Sequence, residues 1–325
     1  MNPGFSLNPG FFYLIRRNYR IPVEKELFIS QLKLHIIVVI YGFTAILGKL
    51  IQLPAYELVW FRMLIAVIFF FIYLRIKNID LSISKGDFLR ISMVGVVVAA
   101  HWIAFFGAIK LSNVSVTLGC FATTTLFTSF LEPFFFRKKV NWLEVLTGII
   151  IIAGLYLIFT FEMHYVSGIL VALLSAFLAA LFTVLNKKLI AKHPASVISF
   201  YELLGGWFVL TLFFLIPEVT DKASFALPTA SDLAYLFLLG TVCTAYAFVI
   251  QIDVMKHLSA YMVTLTINLE PVYGIIMAFL FFGESEKMTA GFYIGTLIIL
   301  LTVLSFPMMN KYYSKLQRVR ANRID

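Results

Sequence analysis

Charge is what this chain of 325 residues has least of. Asp, Glu, Lys and Arg make up 13% of it, about half the roughly 25% usual in soluble domains. With 61% hydrophobic residues, it holds too few charges to cover the exterior of a soluble fold. Cysteine is also scarce: Cys120 and Cys243 both fall inside apolar runs and offer neither a disulfide framework nor a metal site. The lysine of LGKL at 47–50 lacks the glycine-rich run and following Ser or Thr of a phosphate loop, which argues against ATP-driven pumping by this chain. No His-Glu-x-x-His or acidic cluster points to a metal, and no Gly-x-Ser-x-Gly elbow to a hydrolase. No cofactor is expected. Nor is a cleavable leader expected: in FFYLIRRNYR the charges follow the apolar residues and no small-residue cleavage site comes after them.

What is present is hydrophobic length. Mean hydropathy is +0.93, and ten apolar stretches reach spanning length: 33–52, 55–74, 88–109, 113–136, 141–160, 167–188, 195–216, 231–255, 259–282 and 288–308. Ten spans put both termini on one side. That side carries 21 of the Lys and Arg residues and the other only Lys49, Lys110, Lys222 and Lys287, with Arg62 left inside a span. The asymmetry predicts cytoplasmic termini in a cell (inner) membrane, and assigns the net charge of +9 to orientation in a lipid bilayer, not to nucleic acid. Residues 1–32 read as a cytoplasmic arm and 309–325 as a basic tail resting on anionic headgroups.

The chain also repeats itself. With an offset of 147, Leu111-Ser112 falls on Leu258-Ser259, Val116-Thr117-Leu118 on Val263-Thr264-Leu265, and Gly148 on Gly295. PAYELVWFRML at 54–64 lies over PASVISFYELL at 194–204 with an offset of 140. The expected fold is therefore all-α and integral to the membrane, with ten transmembrane helices in two inverted five-helix repeats, 33–160 and 161–308. An odd number of spans per repeat forces opposite directions across the bilayer. Secondary transporters built this way bind substrate near the midplane between the copies.

The stretch NLEPVYGIIMAFLFFGE at 268–284, and HWIAFFGAIKLSNVSVTL at 101–118, resemble the EamA-type transporters of the drug/metabolite transporter superfamily. The resemblance covers about residues 33–308. It implies a proton-linked or exchange-type carrier of small metabolites, often an exporter of amino acids or related compounds. Where the second copy has Glu270-Pro271 and Glu284, the first has Thr123-Thr124 and Arg137, so the halves are not expected to handle substrate alike.

Ionisable groups inside spans are costly and usually face a cavity or a partner. Glu270 is the deepest, with Thr266 and Tyr273 on its helical face and Pro271 expected to kink the helix by crowding the Ile267 carbonyl. Arg62 suits a substrate carboxylate through its bidentate fork, or an ion pair with Glu57. Its repeat mate is Glu202, and the two are candidate opposite gates. His101 is a candidate proton relay or a hydrogen-bonded packing residue. Thr117, Thr124, Thr128 and Glu132 form a polar stripe on one helical face, either a pathway or threonines bonded to backbone. Glu132 can reach Arg137 or Lys138, and Asp253 can reach Lys256 or Lys187. Tyr41, Tyr246 and Tyr273 are candidates for the cavity wall. Gly291-x-x-x-Gly295 could mark a homodimer face or internal packing.

These observations point to a carrier of small metabolites, amino acids or related amphipathic compounds, with Tyr41, Arg62, His101, Thr124, Glu202, Tyr246, Glu270 and Tyr273 as its substrate-binding residues. Two other classes compete: an intramembrane enzyme using His101 and Glu270 as acid and base, and a membrane receptor that binds without transporting.

Overall fold

Apolar runs with few internal partners for their backbone must close their hydrogen bonds within one segment, so they become helices. The computed structural model describes residues 20–137, 142–216 and 225–321. Its helices in chain order are α1 (Arg20–Leu50), α2 (Ala55–Ile76), α3 (Lys85–Leu111), α4 (Val114–Phe121), α5 (Thr124–Phe136), α6 (Trp142–Phe161) and α7 (Val166–Leu189). There follow α8 (Ala195–Phe214), α9 (Ala230–Gly240), α10 (Ala247–Val254), α11 (Ala260–Ile267), α12 (Glu270–Phe282) and α13 (Ala290–Ala321). Eight passages are long and apolar enough to cross a membrane, and Leu146–Phe161 and Ala290–Phe306 are two shorter apolar helices. Every stretch expected to span is helical.

Helix starts follow the local chemistry. Pro54 and Pro194 precede α2 and α8, where a missing amide proton costs nothing. Asn113 and Ser259 cap α4 and α11, accepting the amide protons of Val116 at 2.8 Å and Met262 at 3.1 Å. The expected arm is partly helix, because α1 already begins at Arg20, and α13 runs on through most of the expected tail. Residues 1–19 of the arm, 322–325 of the tail, and Lys138, Lys139 and Lys222 lie outside the described residues.

Two passages are not continuous. α4 and α5 break at Ala122-Thr123, and α11 and α12 at Asn268-Leu269. A shift of 146 carries α4 onto α11 and α5 onto α12, residue for residue at both ends. Pro271 therefore starts a new helix instead of kinking a continuous one, and the first repeat breaks at the same place with no proline there. Asn268 ties the two breaks together: its amide donates to the Ala122 carbonyl at 2.7 Å and to Thr125 Oγ1 at 2.8 Å. Under the same shift Ala122 is the position equivalent to Asn268 itself. The breaks meet where the repeats are related.

Packing follows the same exchange of halves. α3 packs on α7 and α8, while the passage α9–α10 packs on α1 and α2; α4 lies against α12 and α5 against α11. α6 and α13 pair at the periphery. There Gly295 faces α6, since a Cβ on it would meet the Gly154 carbonyl oxygen at 2.6 Å. The Gly291/Gly295 face is thus covered by the chain's own α6. Large apolar side chains such as Ile68, Phe69, Ile72 and Leu280 cover the outside, as lipid contact requires.

Carboxylates seal the ends of the broken passages. Glu286 accepts the amide protons of Val114 at 3.2 Å and Ser115 at 2.8 Å and pairs with Lys49 at 2.7 Å. At the opposite end Glu132 accepts the Tyr261 amide proton at 2.8 Å, joining α5 to α11. Asp253 pairs with Lys256 at 2.6 Å and Lys33 at 3.8 Å, and Lys187 donates to the Met255 carbonyl.

Candidate functional site

Where the two breaks meet, the helices line a cavity of about 60 Å³. Its wall comes from α1, α2, α3, α7, α10 and both broken passages. Its apolar part is largely aromatic: Trp102 and Phe105 of α3, Phe121 at the end of α4, Phe182 of α7 and Phe248 of α10.

Arg62 is the cation in that wall and is 2% exposed. Its guanidinium carbon lies 3.9 Å from the centre of the Trp102 ring, and Nε donates to Thr244 Oγ1 at 2.5 Å. Thr244 is held by a π-helical turn, Thr241–Tyr246, in which its hydroxyl donates to the Leu239 carbonyl five residues back at 2.6 Å. Such turns recur at functional sites because they re-aim a side chain without ending the helix. Nη1 of Arg62 is buried with no partner. Among the described residues no carboxylate comes within ion-pair distance of Arg62, so the expected pairing with Glu57 is not made.

Glu270 stands across the same cavity as the first residue of α12. The free amide protons and dipole of a helix start favour a negative charge there. Its carboxyl has no hydrogen-bond or ion-pair partner among the described residues, although the residue is only 4% exposed. A cation and an acid thus face one cavity without meeting each other.

His101 lines the same cavity in an aromatic nest, 5.6 Å from the Phe121 ring centre and 5.4 Å from that of Phe182. Nδ1 is 3.0 Å from the Ser175 carbonyl oxygen and 2.9 Å from its hydroxyl. A carbonyl only accepts, so Nδ1 carries the proton in the neutral ring and Nε2 keeps the lone pair. Tyr41 donates to Gln251 Oε1 at 2.5 Å on the α10 side of the cavity. Thr124, which the helix register places opposite Glu270, lines the cavity with its hydroxyl bonded to the Phe121 carbonyl at 2.6 Å.

The other sequence candidates lie elsewhere. Tyr246 is 49% exposed and Tyr273 39% exposed, and neither lines the cavity. The break at Asn268-Leu269 takes Tyr273 off the face that Thr266 and Glu270 would share in an unbroken helix. Glu202 is fully buried among α8, α3 and Asn186, beyond the cavity wall. The threonine stripe is mostly packing: Thr117 and Thr128 bond back to the carbonyls of Asn113 and Thr124, both four residues earlier. Sequence reasoning missed Gln251, Thr183 and Asn268. For Gln251 and Asn268 the available signal was an uncharged amide inside an apolar span; Thr183 carries no signal that sets it apart from other threonines in the spans.

A polytopic helical bundle in which two broken passages meet beside one cavity has the build of a membrane transporter. The model of the EamA-like transporter family matches residues 30–160 and 166–306, and the chain belongs to that family. Similar proteins include the uncharacterized transporter YxxF of Bacillus subtilis, 25% identical over 80% of this chain and 84% of that one. An uncharacterized transporter of Clostridium kluyveri is 22% identical over 76% of this chain and 80% of its own length. A solved crystal structure with 16% identity shares the fold, with a TM-score of 0.64 over 86% of this chain and 97% of that one.

Proposed function

We propose that this transporter carries small amphipathic metabolites, amino acids or related zwitterions, by alternating access around the central cavity. The observation that supports this is the pair Arg62 and Glu270, neither with an ion-pair partner among the described residues, lining one aromatic cavity. A ligand with a carboxylate and an ammonium group would complete both: the guanidinium Nη1 takes the carboxylate, and the Glu270 carboxyl takes the ammonium. The aromatic wall takes the apolar part of the ligand. His101 Nε2 and the Tyr41–Gln251 pair supply further polar contacts. The cavity is complete in one chain, so a homodimer, if formed, would not be needed to build it.

Export is the direction in keeping with the family resemblance, and cytoplasmic termini in the cell membrane with the Lys and Arg distribution. The test is counterflow in proteoliposomes loaded with unlabelled amino acids and challenged with labelled ones singly. Accumulation of a label by the wild type, absent in Glu270→Gln and Arg62→Ala, is the expected result. Normal transport by both folded variants would overturn the site.

A further inference from the structure

One helical turn beyond the cavity, towards the end of the bundle that carries the termini, lies an acid that the cavity does not use. Thr183 lines the cavity on α7, and Asn186 is three residues further along the same helix. The Asn186 amide donates to Glu202 Oε2 at 3.3 Å, while Oε1 of this fully buried residue has no partner. Asn186 Oδ1 and the hydroxyl of Ser199, one turn before Glu202 on α8, are also buried without partners. The surroundings are closely packed. A Cβ on Gly95 of α3 would stand 1.9 Å from the Glu202 carbonyl oxygen, and one on Gly205 of α8 would stand 2.6 Å from Ser92 Cβ. α3 and α8 come into close contact there, and Glu202 is 0% exposed.

No cation offsets the carboxyl. The helices packed on α8 are α2, α3 and α10, with Asn186 reaching over from α7. At this end they carry Arg75, Lys85, Asp87, Arg90, Lys187, Lys188 and Asp253; towards the other end stand Glu57, Arg62, His101 and Lys110. Asp87 is engaged with His193 at 3.4 Å, Asp253 with Lys256 at 2.6 Å, and Lys187 with the Met255 carbonyl. Among the described residues none comes within 4.0 Å of the Glu202 carboxyl as an ion partner. A buried carboxylate with one neutral donor and no counter-charge is strongly disfavoured. A carboxylic acid is not, and the free Asn186 and Ser199 oxygens are acceptors for its proton.

We propose that Glu202 is a proton-binding site, protonated in the packed state and deprotonated when α7 and α8 part to admit water at the terminus end. The step makes one O–H bond with a proton from water and breaks it again to water; no electron moves and no co-reactant is needed. Because Asn186 continues the α7 stripe that lines the cavity, proton release and access to the cavity from that end become one event. This coupling role rests on the carrier reading above, and it leaves Glu270 to the substrate.

Infrared titration of the protein in lipid tests the site without any substrate. The expected result is a protonated-carboxyl C=O band that persists at neutral pH in the wild type and in Glu270→Gln, and is lost in Glu202→Gln. Its absence from the wild type, or its survival unchanged in Glu202→Gln, overturns the proposal. Coupling is read separately with the labelled amino acids used for counterflow. Glu202→Gln, which mimics the neutral acid, is expected to keep counterflow and lose accumulation driven by a pH gradient. Gradient-driven accumulation at the wild-type level in that variant overturns the coupling role. Absence of counterflow in the wild type would instead count against the carrier reading, and the infrared result would still decide the proton site.

Discussion

The two ends of the bundle are built on one plan and filled with different chemistry. Lys49 and Lys188 close the equivalent helices α1 and α7. Lys49 Nζ lies 4.3 Å from the Phe282 ring centre and Lys188 Nζ 5.7 Å from that of Phe136, which a shift of 146 carries onto Phe282. The amide protons of Ser115 and Tyr261, related by the same shift, both go to a carboxylate. Yet those carboxylates come from different places. Glu286 lies in the 3₁₀ turn after α12, whereas Glu132 lies within α5, four residues before its end. What recurs is a backbone demand, two exposed helix starts that must be capped. What differs is the residue that meets it, because the second copy needs only an anion in reach and not at one position.

The largest effect should come from making the second repeat resemble the first at its centre. Glu270→Thr, the residue found at Thr124, should fold and lose transport by roughly 10- to 100-fold in counterflow, as the loss of one charge-assisted contact predicts. Retained activity would mean that the asymmetry at the cavity is incidental. Next come the end seals. Glu286→Ala removes a buried carboxylate from two amides and Lys49, and should destabilise by about 3 kcal/mol in a thermal melt. It should also expose Cys243, the cavity thiol, to an impermeant maleimide from the Glu286 side. Glu132→Ala should expose Cys243 from the other side, and labelling from the same side in both variants would break the comparison. Smaller still is Asn268→Ala, expected to cost about 1–3 kcal/mol by orphaning the Ala122 carbonyl and Thr125 hydroxyl. Last is Lys188→Met, with under about 1 kcal/mol from a half-exposed ring contact; a larger loss there than for Lys49→Met would reverse the ranking of the two ends.

Much of this fold was legible because hydropathy and duplication are long-range signals. Ten apolar runs mark the helices, and the paired Pro-Ala of 54–55 and 194–195 marks equivalent starts for α2 and α8. The sequence offset of 147 is one residue longer than the structural shift of 146, so the counterpart of Glu270 is Thr124 and not Thr123. The breaks themselves were only half legible. Pro271 signals one of them, but Ala122-Thr123 carries no such signal, and the helix stops there because its partner across the crossing supplies the Asn268 amide. Leu-Glu-Pro also occurs twice, at 131–133 and 269–271, and sits near a helix end in one case and at the cavity in the other. The tripeptide alone fixes no depth. For the cavity, residue type located Arg62, His101 and Glu270, but it could not tell which face Tyr246 and Tyr273 would take after a π-turn and a break. Glu202 reads like its mate Arg62 in sequence, and only packing against Gly95 shows that it is walled off.

The contact between Asn268 and Ala122 also bears on ancestry. In a pair of identical, oppositely inserted five-helix subunits, a residue at this crossing would face its own copy. Two asparagines there would compete for a space in which one amide already spans the gap to Ala122 and Thr125. Fusion into one gene allows the two positions to differ, one keeping the amide and the other shrinking to make room. The fused chain is then a heterodimer in all but its covalent link. Replacing either half with a second copy of the other should therefore fail at this residue pair first, and changing one of the two identical residues, Asn to Ala or Ala to Asn, should restore it.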